Sequence, residues 1–258
     1  MKTELVYSLL PEEEELAAKR EELARLQLQL AEQELFLASL NAELAAFEGL
    51  YLRQVGVLYA ELDEWNARLA EIRAGRLATP DAKTEAAEAR TQAEESHSAA
   101  YGEAAQVQPF TPSPELKKLY REAAKRVHPD TATDGADRAR RERLMKEVNA
   151  AYAAGDEDAL QRILASLNVS PDAVQGSGLG ADLIRVLRQL KQVRDRLSVI
   201  ALESTRLAES EMSKLKAKAD IATAKGRDLL AEMATCIQGR VNVVRQQYEV
   251  EITKGIQE

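Results

Sequence analysis

Aromatic side chains are scarce in this chain. They make up 4% of residues, with three Phe and one Trp, too few to fill a globular core of ordinary composition. Cysteine is nearly absent: a single thiol, Cys236, excludes an intramolecular disulfide and fits a reducing compartment. The two histidines, His97 and His128, have no Cys or His partner at metal-ligand spacing, so neither a metal centre nor a cofactor is expected. The GSGLG run from Gly176 to Gly180 lacks the strand, spacing and lysine of a phosphate-binding loop. No unbroken run of 18 apolar residues occurs, so no membrane span is expected. Met1 leads into an acidic amphipathic segment rather than the basic and apolar regions of a signal peptide. Together these absences lead us to expect a soluble cytoplasmic protein that is not an enzyme. Cys236 falls in an apolar helical row, where we expect a buried thiol rather than a nucleophile.

Proline is missing from two long stretches that are rich in Ala, Glu, Leu, Arg and Lys, the composition of long helices and coiled coils. In the first, Leu16, Leu23, Leu30, Leu37, Leu44, Tyr51, Leu58, Trp65 and Ile72 recur every seven residues, a strong coiled-coil row. A second row holds Leu26, Leu40 and Phe47, then shifts by one position to Val55, Leu62 and Leu69. That drift predicts a local change of supercoil or of partner face. Pro11 followed by Glu12 to Glu15 suits a helix start, and Gly75 with Thr79-Pro80 ends the arm. The second stretch, from Ala181 to about Ile252, carries Leu183, Leu187, Leu190, Val193, Leu197, Ile200 and Leu207. After a middle of small residues it resumes with Leu229, Met233, Ile237, Val241, Val244 and Tyr248. Each arm would span roughly 95 to 110 Å.

Between the arms lie an alanine-rich helix and linker at 81–108, a helical domain at 109–168 and a flexible connector at 169–180. The N-terminal arm is 1–76 and the C-terminal arm 181–258. Charge is uneven: residues 1–80 carry 15 acids and 8 bases, whereas 169–258 carry 12 acids and 14 bases. With arms of similar length, this complementarity leads us to expect an all-α protein in which the arms form a long antiparallel coiled-coil hairpin with the small domain near its tip. The competing arrangement pairs each arm across a homodimer, and Leu28 and Leu35, off the main row, offer a second face for one.

The central domain holds the densest signal. In ELKKLYREAAKRVHPD, from Glu115 to Asp130, Leu116, Leu119, Tyr120, Ala123 and Val127 share one helical face, and Lys117, Arg121 and Lys125 form a cationic stripe. Pro129 disfavours helix at His128, so the chain turns there. A second amphipathic helix presents Met145, Val148, Ala151 and Tyr152, Ala154-Gly155 suits its end, and Leu160, Ile163, Leu164 and Leu167 predict a short further helix.

Two antiparallel helices joined by a His-Pro-Asp loop resemble the J domain of the DnaJ family, matched at Tyr120, Arg121, His128, Pro129, Asp130, Met145, Val148, Ala151 and Tyr152. The resemblance implies a co-chaperone that docks on a DnaK-type chaperone and stimulates its ATP hydrolysis. Asp130 would contact an arginine of the chaperone, Pro129 would hold the loop and His128 brace it, while Lys117, Arg121 and Lys125 would steer docking. The arms would bind a client or partner. The chain departs from the family in having Glu122 where a base is common and in lacking the usual first helix, a role the alanine-rich helix would fill. It also has no Gly/Phe-rich or CxxC modules. Two other classes compete. One is a coiled-coil scaffold with a vestigial J-like domain. The other is nucleic-acid binding through Arg138, Arg140, Arg141 and Arg143, which the interspersed acids, missing aromatics and net charge of −8 disfavour.

Overall fold

The computed structural model describes residues 10–132, 135–167 and 178–256, which are overwhelmingly helical, with no strand among them. The all-α expectation is met. Of the expected connector, residues 169–177 lie outside the described residues. The chain divides into two compact units, one formed by residues up to Ala42 with Phe110–Leu207, the other by Glu43–Pro109 with the residues from Ala208 onward.

In the first unit, the N-terminal part of α1 (Pro11–Tyr51) packs along α7 (Leu179–Ala208). Leu16, Leu23, Leu30 and Leu37 are buried against Val186, Leu190, Val193 and Ile200, each large side chain contributing about 1.5–3 kcal/mol of burial. The expected seven-residue row is therefore the seam, but its direction is not the expected one. Arg20 binds Asp182 at 2.9 Å and Glu34 binds Arg196 at 2.7 Å, both at a separation of 162 residues. The helices run parallel, so the antiparallel hairpin is corrected. Exposed ion pairs hold little energy and many registers match them, so charge could not select the direction.

Beside this pair, α4 (Pro114–Val127), α5 (Gly135–Ala154) and α6 (Glu157–Leu167) form a small helical core. Ser113 caps α4 by accepting from the Leu116 amide at 2.9 Å. Gly155, at φ +71°, ends α5 as expected, its amide and that of Asp156 closing onto the Tyr152 and Ala151 carbonyls.

In the second unit, a π-helical turn at Leu52–Gly56 joins α1 to α2 (Val57–Leu77). Its extra residue rotates the buried face, and Val55, Leu62 and Leu69 take over the interior. This is the place where the sequence row drifts. α3 (Pro80–Tyr101), capped by Thr79, turns back along α2: Ala74 packs on Ala82 and Ala86, Arg90 reaches Glu71 and Glu64, and Ser96 donates to Asp63. Ala60, Ala67 and Ala74 on one helix and Ala86, Ala93 and Ala100 on the other are buried at seven-residue spacing. The alanine-rich segment is thus a close-packed partner.

The C-terminal arm is not continuous. α8 (Glu211–Ala224) starts at a Ser210 cap and ends before Gly226 at φ +73°, and α9 (Leu229–Ile256) follows. α9 packs along α2, with Leu62 against Ile237 and Val241, Trp65 edge-on to Tyr248 at 5.3 Å, and Arg76 on Glu251 at 2.6 Å. The ascending order of these contacts makes this pair parallel as well. Cys236 is exposed rather than buried, because Ile237 and Val241 take the inward face of α9.

The expectation of no membrane span is not upheld by length and composition. Within Pro11–Leu77, an 18-residue window of mean hydropathy 1.3 is long and apolar enough by composition to cross a bilayer, since an averaged window tolerates scattered charges. Only 28% of that window is buried, so the rows packed in the interior account for part of its apolar surface and not for the whole.

Candidate functional site

Every candidate site residue belongs to α4 or the loop that follows it. Leu116, Leu119, Tyr120, Ala123, Ala124 and Val127 are buried on one face of α4 and meet Met145, Val148, Ala151 and Tyr152 of α5, with Leu160 and Leu164 of α6 closing the third side. Arg141 donates to the Arg126 carbonyl at 2.9 Å and the Tyr120 hydroxyl to Asn149 Oδ1 at 2.8 Å, so α4 and α5 are antiparallel. The Tyr120 and Tyr152 rings lie 4.7 Å apart. Burial, with the Glu34 charge nearby, raises the Tyr120 hydroxyl pKa far above its ordinary value, keeping it a donor.

The fourth wall of this core is α1. Leu35 is buried in the cluster and Ala38 packs on it, Ser39 shares a 2.7 Å hydrogen bond with the Tyr152 hydroxyl, and Tyr120 reaches the Glu34 carbonyl at 3.4 Å. The expectation that the alanine-rich helix fills the place of the missing first helix is corrected. α3 is committed to α2 through its alanine face, while the N-terminal arm offers the large side chain that this core needs.

The loop forms one short turn, Pro129–Thr131. His128 is 3% exposed and Asp130 8%, so this loop is buried rather than standing clear of the packed helices. The Asp130 amide donates to His128 Nδ1 at 3.2 Å. That fixes the tautomer: Nε2 carries the proton and donates to Glu34 Oε1 at 3.0 Å. Pro129 is half-buried between them. The Asp130 carboxylate meets Arg138 at 3.5 Å.

Glu34, a residue that the sequence did not single out, ties this loop to the arms. It is 4% exposed and accepts from Arg196 Nε at 2.7 Å and Nη2 at 3.1 Å as well as from His128. Burial raises the Glu34 pKa, but the hydrogen bonds from His128 and Arg196 outweigh it and hold the carboxyl below its ordinary value. Burial likewise opposes the Arg196 charge, and the bonds to Glu34, with the carboxylates of Glu34, Glu203 and Asp130, raise its pKa. The only warning in the sequence was an acid between Leu30 and Leu37, four residues beyond one seam position and three before the next.

The cationic stripe is partly engaged. Lys125 is exposed, Lys117 is half-buried, and Arg121 pairs with Glu32 of α1 at 3.2 Å. Glu122, on the same helix, pairs with Arg126 at 2.7 Å. The basic run on α5 is interleaved with acids: Arg140 and Arg141 contact Asp137, and Arg138 contacts Glu142. Among the described residues no cluster of three His, Cys, Asp or Glu side chains is placed to hold a metal ion. Comparison with protein-family models, curated proteins and solved structures finds no match to this chain. The likeness to a J domain rests on the residues of the α4–α5 hairpin.

Proposed function

We propose that this protein is a J-domain-like co-chaperone. It docks on a DnaK-type chaperone through the α4–loop–α5 hairpin and stimulates its ATP hydrolysis, while the helical arms bind a client or partner. The observation that carries this reading is the seating of His128-Pro129-Asp130 at the turn of two packed antiparallel helices, directly after a helix bearing Lys117, Arg121 and Lys125. A carboxylate at such a turn suits a charge-assisted contact to an arginine, and a cationic helix face beside it suits steering toward an acidic partner.

A second reading has its own support. The burial of His128 and Asp130 and the Glu34–Arg196 pair fit a scaffold in which the loop is an internal clamp. ATP turnover by bacterial DnaK, with and without the full chain, separates the two. A co-chaperone raises turnover, and Asp130→Asn removes the increase while circular dichroism still reports a folded helical protein. Equal turnover with wild type and Asp130→Asn leaves the scaffold reading.

A further inference from the structure

We propose that α7 is a displaceable internal cover for the His128–Asp130 loop, held there by Arg196 on Glu34, so that chaperone docking and α7 pairing exclude one another. This inference rests on the co-chaperone reading and adds its regulation. Three observations support it. First, the loop is closed in the resting chain, with His128 at 3% and Asp130 at 8% exposure, so a partner's arginine meets no open carboxylate.

Second, the charges a partner would bring are already supplied from within. Arg138 contacts Asp130, and Arg196 lies within the electrostatic reach of Asp130 while gripping the glutamate that holds His128. On the neighbouring turn of α1, Glu32 occupies Arg121 of the cationic stripe.

Third, the cover is separable from what it covers. The core of α4, α5 and α6 is completed by Leu35 and Ala38 of α1, and no residue of α7 belongs to it. The α1–α7 seam is a distinct cluster of Leu16, Leu23, Leu30, Leu37, Val186, Leu190, Val193 and Ile200. Arg196 links the two clusters by a polar contact, so α7 can leave without opening the hairpin core.

The half-maximal concentration for chaperone stimulation then scales inversely with the uncovered fraction. The test uses the full chain, bacterial DnaK and ATP. Arg196→Gln lowers the half-maximal concentration at least about threefold, and Asp130→Asn added to it abolishes the gain. In a Cys236→Ser background, cysteines placed at Glu22 and Arg194, whose side chains pair directly, are bridged by a short bis-maleimide. The bridged monomer stimulates at least about tenfold less than the same protein unbridged.

Bridged and unbridged proteins that stimulate equally, with Asp130-dependent turnover, overturn the cover and leave the co-chaperone reading standing. A total lack of Asp130-dependent stimulation in every form, Arg196→Gln included, removes the co-chaperone reading and the cover with it. If Arg196→Gln proves unfolded by circular dichroism, the bridged pair still decides, because neither position touches the loop.

Discussion

A carboxylate with 4% exposure needs partners for both oxygens, and Glu34 finds them in His128 and Arg196. Removing it takes the Nε2 acceptor from the imidazole and leaves Arg196 only its longer 3.5 Å contact to Glu203, so Glu34→Ala costs about 3 kcal/mol, measured by urea denaturation. Its pKa sets a pH signature. The folded-state value lies below the ordinary 4.5, so the unfolded chain takes up the proton more readily. The contribution is complete above about pH 4.5 and is lost as the pH falls through the lower folded value. Wild type therefore loses more stability than Glu34→Gln between about pH 6 and pH 3, and parallel pH profiles would remove Glu34 from the clamp. Asp130→Asn lowers stability by about 1 kcal/mol through its weakened contact to Arg138. At this scale the loop and the apolar faces of its hairpin were legible, because turn chemistry and helical period are local. Glu34 and Arg196 were not: they are 162 residues apart, and each resembles its charged neighbours on a long helix.

Helices were legible as elements where proline, caps and periodicity mark them, as at Thr79-Pro80 and Ala154-Gly155. Their pairing was not. Leu16 to Leu44 announce a seam without saying which way the partner runs, and matched arm lengths fit either direction. The return path was the missing fact. α3 runs back along α2 on alanines too small to look like a core, and that pairing supplies a reversal the two-arm hairpin did not include. Two predictions follow from the packing. Cysteines at Leu16 and Leu183 in a Cys236→Ser background cross-link within one monomer. Cysteines at Leu37 and Leu183 do not, since a parallel register sets them roughly 25 Å apart; the reverse preference on a non-reducing gel would restore the antiparallel arrangement. In the α2–α3 pair, Ala67, with no exposed surface, has no room for a larger side chain. Ala67→Leu costs about 1–3 kcal/mol by overpacking, read as a lowered thermal midpoint, whereas Leu at a loosely packed site would raise it.

The whole chain carries a net charge of −8, yet the surface assigned to docking is cationic. Lys125 faces solvent, Lys117 is half-buried, and Arg121 shares its charge with Glu32. An acidic partner is therefore drawn to a local stripe on a molecule that repels it overall, with 15 acids in residues 1–80 on the same chain. Such an arrangement makes orientation more selective than a uniformly basic surface would, because only one face lowers the energy of encounter. Salt screens the attraction and the repulsion together, since both act over about 8–10 Å at physiological ionic strength. Reversing Lys117, Arg121 and Lys125 to Glu should slow association with bacterial DnaK by about tenfold or more at low salt, with a much smaller change in dissociation. The gap between variant and wild type should narrow as salt rises above about 0.15 M. Surface-bound DnaK and stopped injections of each protein give both rates. Association that ignores salt and charge reversal alike would mean that the stripe is only a solvated helix face, and that α4 meets its partner, if it meets one, through the loop alone.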